Sequence, residues 1–411
     1  MISISQDYAP PFKLVAPYFI IGCFIFLVAS FLTFNIDVTN LFHLDSFILS
    51  WVHLFLLGFV MMVIFGAMAQ LIPVTLEVGH FSVEFYYIIW PLLFVGTILM
   101  AIGFYNYPAI LPYSGMIVLI SMFIFLAEVF LTLLKVKQLN NVIKSLIVSN
   151  IFLFLGICVG IVLALTYAGT IETDIQALLK AHVFLVVAGY ITITIMALSL
   201  ILLAMFGLSH NFSQTPLNIA IILMSIGVSL VFIANVASIE FLNYIGYVLA
   251  LVSISLYCYQ VYLIYITRAR KENDIYIFNV FYAMGSLCLA VVSLIIYIFT
   301  DTQSWLLCSG WLLFMGFFSF IIIGHLYKIV PFLVWYERFS PLVGKQKIPM
   351  LADMVPVRAA KFQFGFLALG VLLCAVALLL GTNILFKAGA SFLIIGAIFL
   401  FKNLLYMIRF K

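Results

Sequence analysis

The chain is 411 residues long, 67% of them hydrophobic and 8% charged, whereas a soluble globular domain carries about 25% charged residues. This composition excludes a soluble enzyme or binding module and leaves a polytopic membrane protein. The formal net charge of +4 reads as membrane topology, so no nucleic acid is expected as a partner.

Apolar runs of roughly 18 or more residues can cross a hydrocarbon core of about 30 Å as helices. They are centred near residues 24, 61, 95, 122, 156, 192, 226, 254, 287, 319, 371 and 396. The short alternating strands of a membrane barrel are absent. The predicted fold is therefore all-α, a single polytopic membrane domain (1–411) of about twelve transmembrane helices. The first run follows Pro10, Pro11 and Lys13 with no small-residue cleavage site and reads as a retained helix.

Cations cluster in alternate loops: Lys135, Lys137 and Lys144 after span four, Arg268, Arg270 and Lys271 after span eight, and Arg338, Lys345, Lys347, Arg358 and Lys361 after span ten. The opposite loops carry Asp37, Asp45, Glu172, Asp174, Glu240 and Asp301, with Lys387 the exception. The positive-inside rule then places both termini in the cytoplasm of a bacterial inner membrane. The loop over 337–361, with charges of both signs, three prolines and a glycine, reads as a cytoplasmic connector, the alternative being a structured cap.

Span two contains a pattern written three times. His53, Gly58, Gly66 and Pro73 recur about 258 positions later as Trp311, Gly316, Gly324 and Pro331. A weaker copy sets Phe184, Gly189 and Ala197 on the first three places, with His182 two residues earlier. This self-similarity predicts three pseudo-repeated four-helix arcs. Small residues eight apart return to nearly one helix face and let backbones approach closely in lipid, and the prolines are expected to kink or end their helices.

Six cysteines (Cys23, Cys158, Cys258, Cys288, Cys308, Cys374) lie inside apolar spans without a CxxC pair, and read as buried small hydrophobes. The six histidines sort by depth. His53 and His182 open spans two and six from the outer face, with His43 in the preceding loop. His80, His210 and His325 fall near the cytoplasmic ends of spans two, six and ten. At 1.5 Å per residue His325 lies roughly 30 Å below the outer surface and His53 about 6 Å below it, so the two cannot share a ligand.

Imidazole is a common ligand for copper, iron and haem, which makes His53 and His182 the candidate cofactor or metal ligands. The alternative for each is an interfacial histidine bonded to a loop carbonyl. The inner layer offers a candidate polar path of Glu77, His80, His210, His325 and Lys328, with Gln70 at the first-copy position of Lys328 and Glu337 nearby. Side chains at helix ends also simply snorkel to the interface. Glu128, within span four, is the other intramembrane acid; without a partner it would stay protonated.

Around residues 51 to 80, 180 to 190 and 309 to 354, and in its topology, the chain resembles subunit I of the haem-copper oxidase superfamily and the NnrS-type membrane proteins. The resemblance implies a haem b or copper cofactor, with His53 matching the span-two axial ligand of the low-spin haem and His182 the span-six histidine of the copper site. It also implies respiratory or assembly subunits as partners. The family's His-x-His at the start of span ten stands here as Ser309 and Trp311, and its span-seven histidine pair is replaced by LNIAIILMSIGV. The expectation is an oxidase-like protein that binds haem or copper near the outer face and is not a competent oxygen reductase. A transporter or channel for a metal ion, proton or small solute is the alternative, and an assembly or scaffold subunit without a site of its own is a third.

Overall fold

A computed structural model describes residues 8, 10–39, 41, 45–136 and 139–411; His43 and Lys137 lie outside them. Among the described residues twelve helices are long and apolar enough to cross a membrane. They are α1 (Phe12–Thr33), α2 (Ser46–Leu76), α3 (Glu84–Asn106), α4 (Pro108–Leu133), α5 (Asn141–Tyr167), α6 (Ile175–Gly207), α7 (Thr215–Val236), α8 (Phe241–Ile266), α9 (Ile275–Thr300), α10 (Gln303–Arg338), α11 (Val357–Leu380) and α12 (Asn383–Ile408). Every centre read from the sequence falls inside one of them, and the described residues form no strand. The chain is an all-α, multi-pass membrane protein.

The chain divides into two compact units, one holding Leu71–Glu272 and the other Pro10–Gln70 with Asn273–Lys411. In the first, α3 pairs with α4 and α7 with α8 as hairpins, α5 packs on α4 and α6, and α6 packs on α7 and α8. In the second, α1 packs on the first part of α2 and on α12, α9 packs on α10, and the α11–α12 hairpin packs on α10.

The threefold repeat is structural. α2, α6 and α10 are the longest helices, and their apolar windows are 72%, 89% and 67% buried against 28–56% for the other nine. Each begins as an α-helix, widens into a π-helical segment at the shared glycine, and narrows again. The wide segments are Leu56–Met61 around Gly58, Phe184–Thr192 around Gly189 and Leu312–Phe318 around Gly316. In the second and third copies a hydroxyl at one register position donates to the carbonyl five residues back: Thr192 to Val187 (2.8 Å) and Ser319 to Phe314 (3.2 Å). That five-residue reach is the π period itself.

The glycines are there because the preceding helix runs against the wide segment. A Cβ on Gly58 would lie 2.5 Å from Ile25 Cγ2 of α1, one on Gly189 2.8 Å from Phe152 Cβ of α5, and one on Gly316 2.5 Å from Ser286 Cβ of α9. One turn pair deeper, Gly66 meets Tyr18 of α1 and Gly324 meets Asn279 and Tyr276 of α9. The hairpins repeat as well: Gly96 meets Val118 across α3–α4, and Gly227 with Gly246 and Gly370 with Gly389 approach backbone to backbone across α7–α8 and α11–α12. Three four-helix arcs follow one another along the chain.

Pro73 lies inside α2, which runs three residues further to Leu76. Pro331 lies inside α10, which continues to Arg338, so neither proline is itself the end of its helix, which corrects that half of the expectation that they kink or end their helices. α2 and α6 stop instead on left-handed residues, Glu77 (φ 53°) and Leu208 (φ 49°), each followed by an amide that returns to a carbonyl five back: Val78 to Pro73 and Ser209 to Ala204. The loop over 337–361 carries two 3-10 turns, Ser340–Leu342 and Leu351–Met354. It is pinned by Trp335 Nε1–H donating to Pro349 O at 2.9 Å and by the fully buried Met354. Cys23, Cys308 and Cys374 are buried, whereas Cys158 and Cys288 are exposed on helix surfaces and Cys258 is half-buried; the reading of all six as buried thiols is corrected for these three, since an apolar helix face needs no protein cover in lipid.

Candidate functional site

His53 stands eight residues into α2, one turn before the π segment. Its Nδ1 lies 2.7 Å from Leu49 O of its own helix. A carbonyl only accepts, so in the neutral ring Nδ1 carries the proton and Nε2 keeps the lone pair. His182 lies in α6 two residues before the matching place, which Phe184 holds, with Nδ1 2.9 Å from Gly156 O of α5. Its ring lies over Gly160, where an added Cβ would come within 2.9 Å of Cε1. Both imidazoles therefore bond backbone through the same nitrogen, and both partners are helix carbonyls, not the loop carbonyl expected of an interfacial histidine.

The aromatic residues at the repeat position face elsewhere. Phe184 packs on Tyr247 of α8 with centroids 5.2 Å apart. Trp311 stacks on Trp51 (5.9 Å, 23°), contacts Phe386 of α12 (5.6 Å) and donates Nε1–H to Val371 O of α11 at 3.0 Å. Trp51 in turn stacks on Phe55 (5.4 Å, 3°), and Phe55 on Phe314 (6.2 Å). Ser309, at the other position of the tenth-span pattern, donates to Ala290 O of α9 at 2.9 Å. The two places where the resembled family carries histidines thus staple α10 to α9 and α11.

These residues do not fit a haem gripped from both sides by spans two and ten. The level between α2 and α10 is filled by Trp51, Phe55, Trp311 and Phe314 in ring contact. His53 follows Trp51 by two residues, about 200° around the helix, so it points away from that stack. Among the described residues no three His, Cys, Asp or Glu side chains converge to hold a metal, so a three-ligand copper centre is not assembled either.

The inner-layer residues separate into local arrangements. His80 lies past the end of α2, its side chain 2% exposed, with Nδ1 2.8 Å from Oε1 of the fully buried Glu128. Glu128 also accepts from the Phe81 amide (3.2 Å), the Ser82 amide (3.0 Å) and the Thr132 hydroxyl (2.9 Å). Lys135 closes the turn by donating to Gly79 O and His80 O. Far from lacking a partner, Glu128 organises the turn that leads into α3. In the second arc Gln260 of α8 does the same, its Oε1 accepting from the Leu217 amide near the start of α7 at 3.3 Å.

In the other unit Lys328 pairs with Asp274, which also caps α9 through the Ile277 amide at 3.2 Å. Lys328 Nζ lies 5.6 Å from the Tyr276 ring centroid, and His325 meets that ring edge-on at 5.2 Å, with Nδ1 2.6 Å from Ile321 O. Asp274 opens α9, so this cluster sits at a helix end, not at mid-membrane depth. Glu337 accepts from the Phe12 amide at 2.8 Å and so caps α1. Glu77 is the left-handed residue that ends α2, and His210 is exposed beyond α6. Gln70 is buried in α2.

One buried polar group lies outside the candidates read from the sequence. Tyr327 donates to Gln363 Oε1 at 3.0 Å and accepts from Asn403 Nδ2 at 2.9 Å, tying α10, α11 and α12. The alignment of Glu128, Gln260 and Asn403 on the fourth helix of each arc is the signal that could have found it. Comparison with protein-family models and with curated protein sequences gives no match.

Proposed function

We propose that the protein is an oxidase-like integral membrane protein, built on the plan of haem-copper oxidase subunit I and the NnrS-type proteins, that serves a respiratory or nitric-oxide-related role without reducing oxygen. The observation that carries this reading is the π-helical span repeated in α2, α6 and α10, with His53 and His182 one turn ahead of it and Ser309 and Trp311 committed to Ala290 and Val371. Each imidazole keeps Nε2 as its basic nitrogen, so haem or copper bound here has one-sided, weak ligation. A bacterial inner membrane with both termini in the cytoplasm belongs to the same proposal and rests on the loop cations.

The test is oxygen consumption by the detergent-purified protein with a reduced quinol or cytochrome donor. The reading expects none above a no-protein control. Turnover that disappears in His53→Ala would overturn it.

The second reading, a transporter or channel for a metal ion, proton or small solute, draws on the Asp274–Lys328 and His80–Glu128 pairs. Against it, Asp274, Glu128 and Glu337 each hold a helix start or the turn before one. Proteoliposome uptake unchanged by Lys328→Ala and His325→Ala removes it.

A further inference from the structure

Along the last turns of α12 one helix stripe changes character. Ile398, Lys402, Tyr406 and Arg409 recur at helical spacing, and with Phe401, Leu405, Phe410, Lys411 and Leu27 of α1 they line an open groove of about 720 Å³. Its inner half is hydrocarbon: Leu27, Ile398, Phe401 and Leu405, backed by the Phe24–Phe401 ring contact at 5.9 Å. It also holds three cations, Lys402 beside Phe401 and, at its end, Arg409 and Lys411, with the exposed Tyr406 between them. From Ile398 to Arg409 the helix rises about 16 Å, close to half of a hydrocarbon core of about 30 Å. No Asp or Glu side chain is among the described residues that line the groove, and no ion pair among the described residues engages any of the three cations.

An occupant of this groove has to be apolar over one leaflet's depth and anionic at its end. We propose that the groove is a binding site for an anionic phospholipid. One acyl chain lies along Leu27, Ile398, Phe401 and Leu405, and the headgroup phosphate is met by Lys402, Arg409 and Lys411, with the Tyr406 hydroxyl as a further donor. A zwitterionic lipid supplies the same chain, but its ammonium cancels the charge that the three cations select. Basic pockets between membrane helices select anionic headgroups in this way, and each cation near the surface contributes about fivefold to that preference.

The experiment is native mass spectrometry of the full chain with equal amounts of phosphatidylglycerol and phosphatidylcholine, read as the ratio of the two adducts. The wild type retains phosphatidylglycerol preferentially. Lys402→Gln with Arg409→Gln, both at exposed positions, reduces that ratio roughly tenfold or more, while Lys345→Gln with Lys347→Gln, in the loop over 337–361, leaves it in place. Equal adducts in the wild type overturn the proposal, as does an equal loss in the loop variant, which would mark general surface charge. Competition by glycerol phosphate as effective as by the whole lipid would overturn the apolar half of the site.

Discussion

His80 and Glu128, distant in sequence, meet at 2.8 Å in a pocket where the carboxylate is fully buried and the imidazole 2% exposed. Both carboxylate oxygens accept, Oε1 from His80, Phe81 and Thr132, and Oε2 from Ser82. Removing the acceptor leaves several donors stranded in an apolar setting. Glu128→Ala is therefore expected to cost on the order of 3 kcal/mol and to lower the thermal midpoint in detergent clearly. Glu128→Gln, which keeps one acceptor, should lose less. Equal midpoints for wild type and Glu128→Ala would show that the turn stands without it.

The repeat glycines make a second prediction, read by the same thermal midpoint. Gly58→Ala and Gly316→Ala each drive a Cβ to 2.5 Å from Ile25 or Ser286, and should destabilise by about 1–3 kcal/mol. Gly285→Ala, whose Cβ would meet nothing within 4 Å, should lose nothing. A Gly285 variant as damaged as the other two would mean that close packing against the preceding helix does not select these glycines.

Acid sensitivity follows from Asp37. The Thr39 hydroxyl, then the Asn383 amide and the Thr39 backbone N–H, donate to its carboxylate and hold its pKa at about 2 in place of the ordinary 3.8. Because the folded value lies below the unfolded one, the stabilisation is present above the ordinary value and is lost as pH falls toward 2. Asp37→Asn should flatten the acid limb of the stability curve over that window and leave the neutral region nearly unchanged. A variant whose acid limb keeps the wild-type slope would contradict this.

Much of the fold was legible because a bilayer leaves few options: helices long enough to span it announce themselves in hydropathy, and the glycine register of α2, α6 and α10 announced their likeness. The π widening at those glycines was not legible, since nothing in an apolar run distinguishes a five-residue from a four-residue hydrogen-bond period. The chemistry was half legible. Histidine depth came out in two layers, but the sequence alone could not tell that Glu128, near the end of α4, receives the amides of the turn before α3, because that turn is fixed only by tertiary packing. Trp311 and Ser309 read as missing ligands; their hydrogen bonds to Val371 and Ala290 give them positive work as staples.

That work makes a further prediction. Trp311→His restores an imidazole at the repeat position but deletes the stack on Trp51 and the bond to Val371, and His53 faces about 200° from that stack. The variant should be less stable by about 3 kcal/mol and should not acquire a six-coordinate haem spectrum when reconstituted with haem. Appearance of such a spectrum would show that the two positions can close on one ring.

The central claim, an oxidase-like bundle whose span-two and span-ten positions no longer grip a haem together, is tested most directly by the absorption spectrum of the purified wild-type protein, with a pyridine haemochrome assay on the same sample. The account predicts no low-spin, bis-ligated haem signature. A stoichiometric low-spin haem whose bands are lost in both His53→Ala and Trp311→Ala would contradict it.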